Sequence, residues 1–350
     1  MTHHAEASRT RTSARRRRLL AAAGGAATLA AVGAPAIRTA SAQSTKVTVA
    51  TAFRLANYMP LWTAIRRGVA AKQGLEIELL PTGSIAEPVA MLNAGKAQIA
   101  ITGTGMSVNA TVEGSRIKVI SRYAGAIGLW VITRPGSTLR TLADLKGKSI
   151  ATLRFPSNTV SSPTYLMKSK GGFDPAAAGV KFVEGPPGST IPAVRDGRVD
   201  CGIVFEWDAS IAESQGLEVA FGLGEQLGPI AFTAAMVKDE SLKSAADLIQ
   251  RFVNVTAEGM RLAHTQAGLF AEVAAAEFPQ VPADAVKKGS ERLLGLAGFV
   301  PRNPVMSALE WDAMLAHETS AGTIRKPLSF AEMVDNSFAE RATAQFGLRS

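Results

Sequence analysis

One phrase occurs twice in this chain and constrains its fold more than any other feature. The segments "MLNAGKAQIAITGTGMSV" (residues 91–108) and "AVRDGRVDCGIVFEWDAS" (residues 193–210) each run from an apolar helical stretch through Gly and a basic residue. A short apolar strand and a polar loop follow in both copies, so that Gly95 corresponds to Gly197 and Ile101 to Ile203. The repetition indicates two copies of one structural unit.

The elements around each copy also repeat. In the first half, "KVTVATA", "LEIELLP" and "AQIAITG" are typical of buried strands, and the segments between them have helical patterns. In the second half, "KSIATLR", "VKFVEG" and "VDCGIVF" alternate with helices in the same order. This βαβαβ order predicts an α/β fold with two lobes, each built on a parallel sheet, because strand-helix-strand units form right-handed parallel crossovers.

The first 42 residues are typical of a secretory signal peptide. Four arginines at residues 15–18 are followed by an apolar Ala- and Gly-rich stretch, and residues 40–42 form a small-residue cleavage signal before Gln43. The apolar stretch is broken by Gly and ends at Pro35, which disfavours a membrane-spanning helix. The paired arginines, with Arg38 near the cleavage site, favour the twin-arginine export route.

Charge and cysteine content narrow the function classes further. Seven of the 38 basic and one of the 29 acidic residues precede Gln43, which leaves 31 basic and 28 acidic residues and a net charge of +3. We therefore expect no nucleic-acid partner, since such a partner requires a clustered basic face. Cys201 is the only cysteine and lies in an apolar run, so we expect a buried, inert thiol. With no cysteine at the cleavage site to carry a lipid, the export signal predicts a periplasmic protein.

Three stretches resemble a known family. They are "YMPLWTAIRRGVAAKQGLEIELLPTGSIAEPVAMLNAGKAQIAITGTG", "TLADLKGKSIAT" and "AVRDGRVDCGIVFEW", and the similarity resumes at "FTAAMVKDESLKSAADLIQRFVNVTAEGM". They look like the periplasmic substrate-binding proteins of ABC importers in the nitrate, sulfonate and taurine group, which also holds the binding proteins for thiamine-pyrimidine precursors. The resemblance implies a periplasmic binding protein-like fold of type II. It also implies a monomer that closes on a small-molecule solute, uses no cofactor and delivers the solute to an ABC permease in the inner membrane.

The family topology also suggests where the domains end. It places the two crossovers near "LWVITRPG" and "GPIAFTAAMV". Lobe I is then expected to comprise residues 43–134 and 228–350, and lobe II residues 135–227, after a signal peptide of residues 1–42. The C-terminal helices are expected to pack on lobe I, because apolar residues such as Ile249, Phe252, Val253 and Met260 recur at helical spacing.

Ligand contacts are expected in the loops at the carboxyl ends of the strands, where open α/β sheets bind their ligands. Those predicted from lobe I are Asn57, Tyr58, Ser84, Thr104, Gly105 and Met106, and those from lobe II are Ser157, Asn158, Thr159, Glu206 and Trp207. Small hydroxyls and backbone amides at helix starts suit an oxyanion. Thr104 and Ser157 could equally serve as helix caps.

Glu206 and Trp207 leave the charge of the ligand open. We expect the carboxylate to emerge at the edge of the sheet, where it would repel a sulfonate but pair with an amine, while the indole could stack on a ring. Arg54 could pair with Glu206 or hold an anion. Two ligand classes therefore remain, a sulfonate-, taurine- or nitrate-like ion and an amine- or pyrimidine-type compound.

Patterns that would indicate an enzyme are weak. His264 and His317 follow no metal-ligand spacing, and the sequence has no Gly-x-Ser-x-Gly elbow. The thiamine-pyrimidine synthases resemble this chain in "ANYMPLW", but Tyr58 stands where their reactive His is expected. We therefore expect no catalytic residue and no metal site. A solute sensor that reports to a membrane kinase remains an alternative to an importer component.

Overall fold

The computed structural model describes residues 44–155 and 157–349, so the predicted signal peptide lies outside the described residues. The described chain contains ten strands: β1 (Thr45–Thr51), β2 (Leu75–Pro81), β3 (Ile99–Gly103), β4 (Ile117–Ala124), β5 (Leu129–Thr133), β6 (Ser149–Leu153), β7 (Lys181–Gly185), β8 (Cys201–Phe205), β9 (Glu218–Gly222) and β10 (Thr233–Lys238).

Fifteen α-helices accompany these strands in the described chain. They are α1 (Met59–Arg66), α2 (Val69–Lys72), α3 (Glu87–Asn93), α4 (Gly105–Val112), α5 (Asn158–Ser169), α6 (Thr190–Arg195), α7 (Asp208–Ser214), α8 (Gly224–Leu227), α9 (Ser241–Ser244), α10 (Ala246–Thr265), α11 (Leu269–Glu277), α12 (Ala283–Gly295), α13 (Ala308–Ser320), α14 (Phe330–Met333) and α15 (Ser337–Gln345).

The strands form two five-stranded sheets with the same arrangement. The sheet of lobe I has the order β2-β1-β3-β10-β4, and the sheet of lobe II has the order β7-β6-β8-β5-β9. The two-lobed α/β fold expected from the sequence is therefore confirmed. The sheets are mixed rather than wholly parallel, because β10 runs antiparallel to β3 and β4, and β5 runs antiparallel to β8 and β9.

Each antiparallel strand is the one that enters its lobe from the other lobe. The chain leaves β4 at the carboxyl edge of the first sheet and enters β5 after residues 125–128. β5 therefore starts near that edge and runs away from it. Because β5 belongs to the second sheet, the first connection precedes "LWVITRPG". The boundary expected at residue 134 is therefore wrong, since it assigns β5 to lobe I. The second connection runs over residues 223–232, close to its expected position.

The repeated phrase forms the same turn in both lobes. Gly95 and Gly197 follow α3 and α6 with φ angles of 69° and 72°, a left-handed conformation that glycine adopts without steric cost. The next residue in each copy closes the helix end, since Lys96 N–H donates to a carbonyl five residues earlier at 2.9 Å and Arg198 N–H does the same at 3.0 Å. Each turn directs the chain into the central strand of its sheet.

The C-terminal helices contact both lobes. The apolar face of α10 is buried against α1 and α15, as predicted for lobe I, and a Cβ on Gly259 would collide with the carbonyl oxygen of Pro60. However, α12 packs on α7 and α13 packs on α5, and both of these partners belong to lobe II. The expectation that this segment packs on lobe I is therefore correct for α10, wrong for α12 and incomplete for α13, which also contacts α4 of lobe I.

Two further features bear on the sequence-based expectations. Cys201 is fully buried in β8, as predicted, and burial raises the pKa of its thiol to about 12. None of the helices within residues 44–155 and 157–349 is long and apolar enough to cross a membrane.

Candidate ligand-binding cleft

The carboxyl edges of the two sheets lie close to each other. The connection from β4 to β5 joins these edges through residues 125–128, so the end of β4 at Ala124 and the start of β5 at Leu129 are at most about 18 Å apart. The loops that follow β1, β2 and β3 in lobe I and β6, β7 and β8 in lobe II all begin at these edges. This geometry forms the candidate cleft, and most of the predicted ligand residues lie in its loops.

The first loop of lobe I is held firmly to the core. Asn57 is half-buried and its amide donates to the Thr233 hydroxyl at 3.2 Å. Tyr58 is buried, its hydroxyl donates to the Ile101 carbonyl oxygen at 3.4 Å, and burial raises its pKa. Asn57 can therefore reach a ligand, whereas Tyr58 supports the loop from beneath.

The other two loops of lobe I supply small groups. Ser84 is half-buried, and its hydroxyl accepts a hydrogen bond from the Ala86 N–H at 3.3 Å. Thr104 precedes α4 but makes no side-chain cap, and its fully buried hydroxyl has no hydrogen-bond partner among the described residues. Gly105 is buried at the start of α4, and Met106 is half-buried beside it.

The turn that starts α5 supplies the corresponding groups of lobe II. Ser157 caps the helix by accepting from the Thr159 N–H at 3.3 Å, as the capping alternative predicted. Thr159 is fully buried, and its hydroxyl accepts from the Leu153 N–H at 2.9 Å. Asn158 is half-buried, and within the described chain its side chain bonds only to the Ser161 hydroxyl, so it is the side chain of this turn most available to a ligand.

Glu206 does not emerge into solvent, in contrast to the expectation. Its side chain is fully buried, forms an ion pair with Arg292 of α12, and accepts from the Ser210 N–H at 3.0 Å and the Ser210 hydroxyl at 3.1 Å. Burial raises the pKa of this carboxyl, and the opposing effect of Arg292 is smaller. The sequence contains no signal that links Glu206 to a helix so far along the chain.

Trp207 and Arg54 are likewise held by the C-terminal segment. Trp207 is buried against Phe278, with ring centroids 5.2 Å apart, and Phe278 also meets Trp62 of α1 at 5.3 Å. Arg54 pairs with Glu277 and lies over the Trp62 ring at 5.3 Å. Arg54 therefore pairs with Glu277 rather than with Glu206, and the aromatic side chains join lobe I to lobe II.

Large apolar side chains are exposed at the carboxyl edges of both sheets. This cleft rim consists of Phe53 and Leu55 after β1, Ile85 after β2 and Phe155 after β6, each between 37% and 52% exposed. Exposed apolar groups beside a few polar groups are typical of binding sites. Sequence reasoning named the neighbouring polar residues but overlooked these four, although the alternation of apolar and polar residues in "FRLAN" and "GSIAE" signals them.

Sequence reasoning also missed two carboxylates near the cleft. Asp208 starts α7, is half-buried, and makes no hydrogen bond or ion pair within the described chain, so burial raises its pKa. Burial also raises the pKa of Glu318 at the end of α13, whose carboxylate bonds only to the Thr323 hydroxyl among the described residues. Among residues 44–155 and 157–349, no group of three or more His, Cys, Asp or Glu side chains could hold a metal ion.

Comparison with known proteins agrees with this architecture. The chain is 22% identical over 306 residues to the Bacillus subtilis protein named "Putative binding protein YtlA", covering 86% of this chain and 91% of that protein. The structure named "putative sulfonate ABC transporter, periplasmic sulfonate-binding protein SsuA" from Methylobacillus flagellatus KT superposes with a TM-score of 0.70 at 16% identity, over 88% of this chain and 96% of that chain. The periplasmic nitrate-binding protein NrtA from Synechocystis PCC 6803 gives a TM-score of 0.63 at 14% identity, over 87% and 89%.

These structural similarities establish the periplasmic binding protein fold. The family model described as "NMT1/THI5 like" matches residues 55–267, which include nine of the ten strands, β2 to β10, in full and reach the end of α10. Since this match covers more than half of the 350 residues, the chain belongs to the NMT1/THI5-like family.

Proposed function

We propose that this protein is the solute-binding component of an ABC-type importer. It holds a small organic ion between its two lobes and delivers it to a permease in the inner membrane. The observation that carries the proposal is the cleft rim, since apolar side chains of both lobes stand exposed beside Asn57, Ser84 and Asn158 at facing sheet edges. A bound solute and closure of the lobes would remove these side chains from water, which is favourable.

The proposal extends to location and chemistry. The arginine-rich N-terminus supports export through the twin-arginine route, cleavage before Gln43 and a periplasmic, monomeric protein. Binding rather than catalysis is supported by the binding proteins among its relatives. The solute belongs to one of two classes, sulfonate-, taurine- or nitrate-like ions or amine- and pyrimidine-type compounds. Because Glu206 is buried and paired, the second class no longer depends on this carboxylate.

A thermal-shift screen against sulfonates, nitrate, polyamines and pyrimidines tests the proposal. A ligand at 100 times its dissociation constant adds about 2.7 kcal/mol to the free energy of unfolding and raises the melting temperature. We expect Asn158→Ala to weaken the binding of any hit on the order of 10-fold, the scale of one lost hydrogen bond. Asn93→Ala is the matched control, since Asn93 ends α3 at the opposite edge of the lobe I sheet and is exposed. Absence of any hit, or equal weakening by both variants, would contradict the proposal.

A further inference from the structure

The last turn of α13 places two consecutive side chains against opposite lobes. His317 Nε2 lies 3.0 Å from the hydroxyl oxygen of Ser162 in α5 of lobe II. The carboxylate of Glu318 lies against Gly105 in α4 of lobe I, where a Cβ on this glycine would be 2.5 Å from Glu318 Oε2. Asn109, one turn further along α4, donates to the Thr323 carbonyl oxygen at 2.9 Å and fixes the segment that follows α13.

Both contacts lie at the edges that form the cleft. Gly105 comes two residues after the end of β3, and α5 follows β6 through a short turn. The carboxyl ends of these two strands are where the predicted ligand loops begin. The end of α13 is therefore part of the cleft wall, between the turn Thr104–Met106 and the second turn of α5.

No cationic side chain of the described chain balances the charge of Glu318. Its carboxylate accepts a hydrogen bond from the Thr323 hydroxyl at 3.0 Å and forms no ion pair with any lysine, arginine or histidine of the described chain. By contrast, Glu206 and Glu277 are each paired with arginine. Removing a carboxylate from water without a cation or several donors is unfavourable, and groups kept in that state are often functional.

We propose that Glu318 is a specificity-determining residue, which accepts a hydrogen bond from an amino group or protonated nitrogen of the solute held against the turn Thr104–Met106. This inference rests on the proposed function and deepens it by naming the solute's chemistry. Gly105 leaves the space that the carboxylate occupies, since any side chain there would displace it. Asp208, a half-buried carboxylate that also has no cation among the described residues, adds to the preference of the cleft for donors over anions.

Calorimetry with matched solutes on the wild type, Glu318→Gln and Asp312→Asn tests the inference. The probes are taurine with ethanesulfonate and 4-aminopyrimidine with pyrimidine, because the members of each pair differ only in the amino group. We expect the wild type to bind the amino member of at least one pair 10-fold or more tightly, and Glu318→Gln to reduce that preference at least 10-fold. Asp312→Asn should keep it, since Asp312 lies on the same helix but is exposed and forms no ion pair in the described chain.

A second measurement separates binding from a structural role. Glu318→Gln removes a desolvated charge and keeps the shape of the side chain, so the ligand-free variant should melt at the same temperature as the wild type or higher. A lower melting temperature would assign Glu318 to folding and overturn the inference. Equal binding of both members of each pair by the wild type, or a preference that survives in Glu318→Gln, would overturn the inference alone. Failure of the wild type to bind any solute of the screen would overturn the proposed function as well.

Discussion

At the scale of single residues, burial decides what Glu206 can do. Its position at the end of β8 places the carboxylate near the cleft, but Arg292 of α12 reaches it from the C-terminal segment and also pairs with Glu213. Arg292 is itself mostly buried and lies over the Trp130 ring at 5.8 Å. The Glu206 carboxylate therefore takes part in an ion pair that joins lobe II to α12.

We expect Arg292→Ala to lower the free energy of unfolding by about 3–5 kcal/mol, because it leaves the buried Glu206 carboxylate without its cation. The double variant Arg292→Met with Glu206→Gln should recover part of this loss, since neither side chain then carries a charge. Urea denaturation of the wild type, Arg292→Ala and the double variant gives the three free energies of unfolding. Arg195→Ala is the control, because Arg195 is half-exposed and its pair with Asp196 should contribute no more than about 1 kcal/mol. A loss of less than about 1 kcal/mol for Arg292→Ala would contradict the role of this pair.

At the scale of secondary-structure elements, the two copies of the repeated phrase share a second feature besides the glycine, a polar residue three positions later. Gln98 precedes β3, and its side-chain oxygen accepts from the Thr48 N–H of β1 at 2.8 Å. Asp200 precedes β8, and its carboxylate accepts from the N–H and the hydroxyl of Ser149 in β6, both at 2.7 Å. These hydrogen bonds hold the pKa of Asp200 below its usual range. The same position of the phrase thus joins the same two neighbouring strands in both lobes.

Asp200→Ala should lower the free energy of unfolding by about 0.5–1.5 kcal/mol, the net contribution of a hydrogen bond, because it frees the Ser149 N–H at the end of the strand. Asp200→Asn should lower it less, since its side-chain carbonyl oxygen can still accept this N–H. Chemical denaturation of both variants provides the values, with Asp196→Ala in the preceding turn as an exposed control. Equal stabilities of Asp200→Ala and Asp196→Ala would show that the contact adds nothing.

Sequence patterns within a short segment predicted the features that depend on neighbouring residues. The strands, the turn at Gly197 and the capping role of Ser157 follow from residues that are neighbours in sequence. The pairing of β5 could not be predicted in this way, because its five buried residues, four of them apolar, would suit either sheet. The same holds for Arg292, which no periodicity connects with Glu206. Contacts between distant segments depend on how whole helices pack, and α12 and α13 give no sequence signal for the lobe they approach.

At the scale of the whole molecule, we expect the contact between α13 and lobe II to depend on pH. His317 is almost completely buried, and burial lowers its pKa to about 4. The neutral ring is therefore the form that fits against Ser162 and Tyr165 of lobe II, the Tyr165 ring lying 5.4 Å away. A histidine with a lowered pKa contributes fully to stability above its unfolded pKa of about 6.5, and this contribution is lost as the pH falls from there towards 4.

The wild type should therefore lose up to about 3 kcal/mol relative to His317→Gln between pH 6.5 and pH 4, since each pH unit is worth at most about 1.4 kcal/mol. Glu206 and Glu318 have raised pKa values and act in the opposite direction, but both are present in the two proteins and cancel in the comparison. Denaturation at a series of pH values provides the difference. A constant difference between the two proteins over this range would show that His317 titrates normally in the folded protein.

The exchange of β5 and β10 between the lobes has a consequence for the order in which the chain can fold. All five strands of lobe II lie between residues 129 and 222, so its sheet is complete as soon as that segment has been synthesised. In lobe I, β3 and β4 do not pair with each other and are joined only through β10. Until residue 238 is available, both strands keep an unpaired edge, and such edges invite pairing with other chains. A growing chain that has finished its second lobe therefore still carries an open gap in its first.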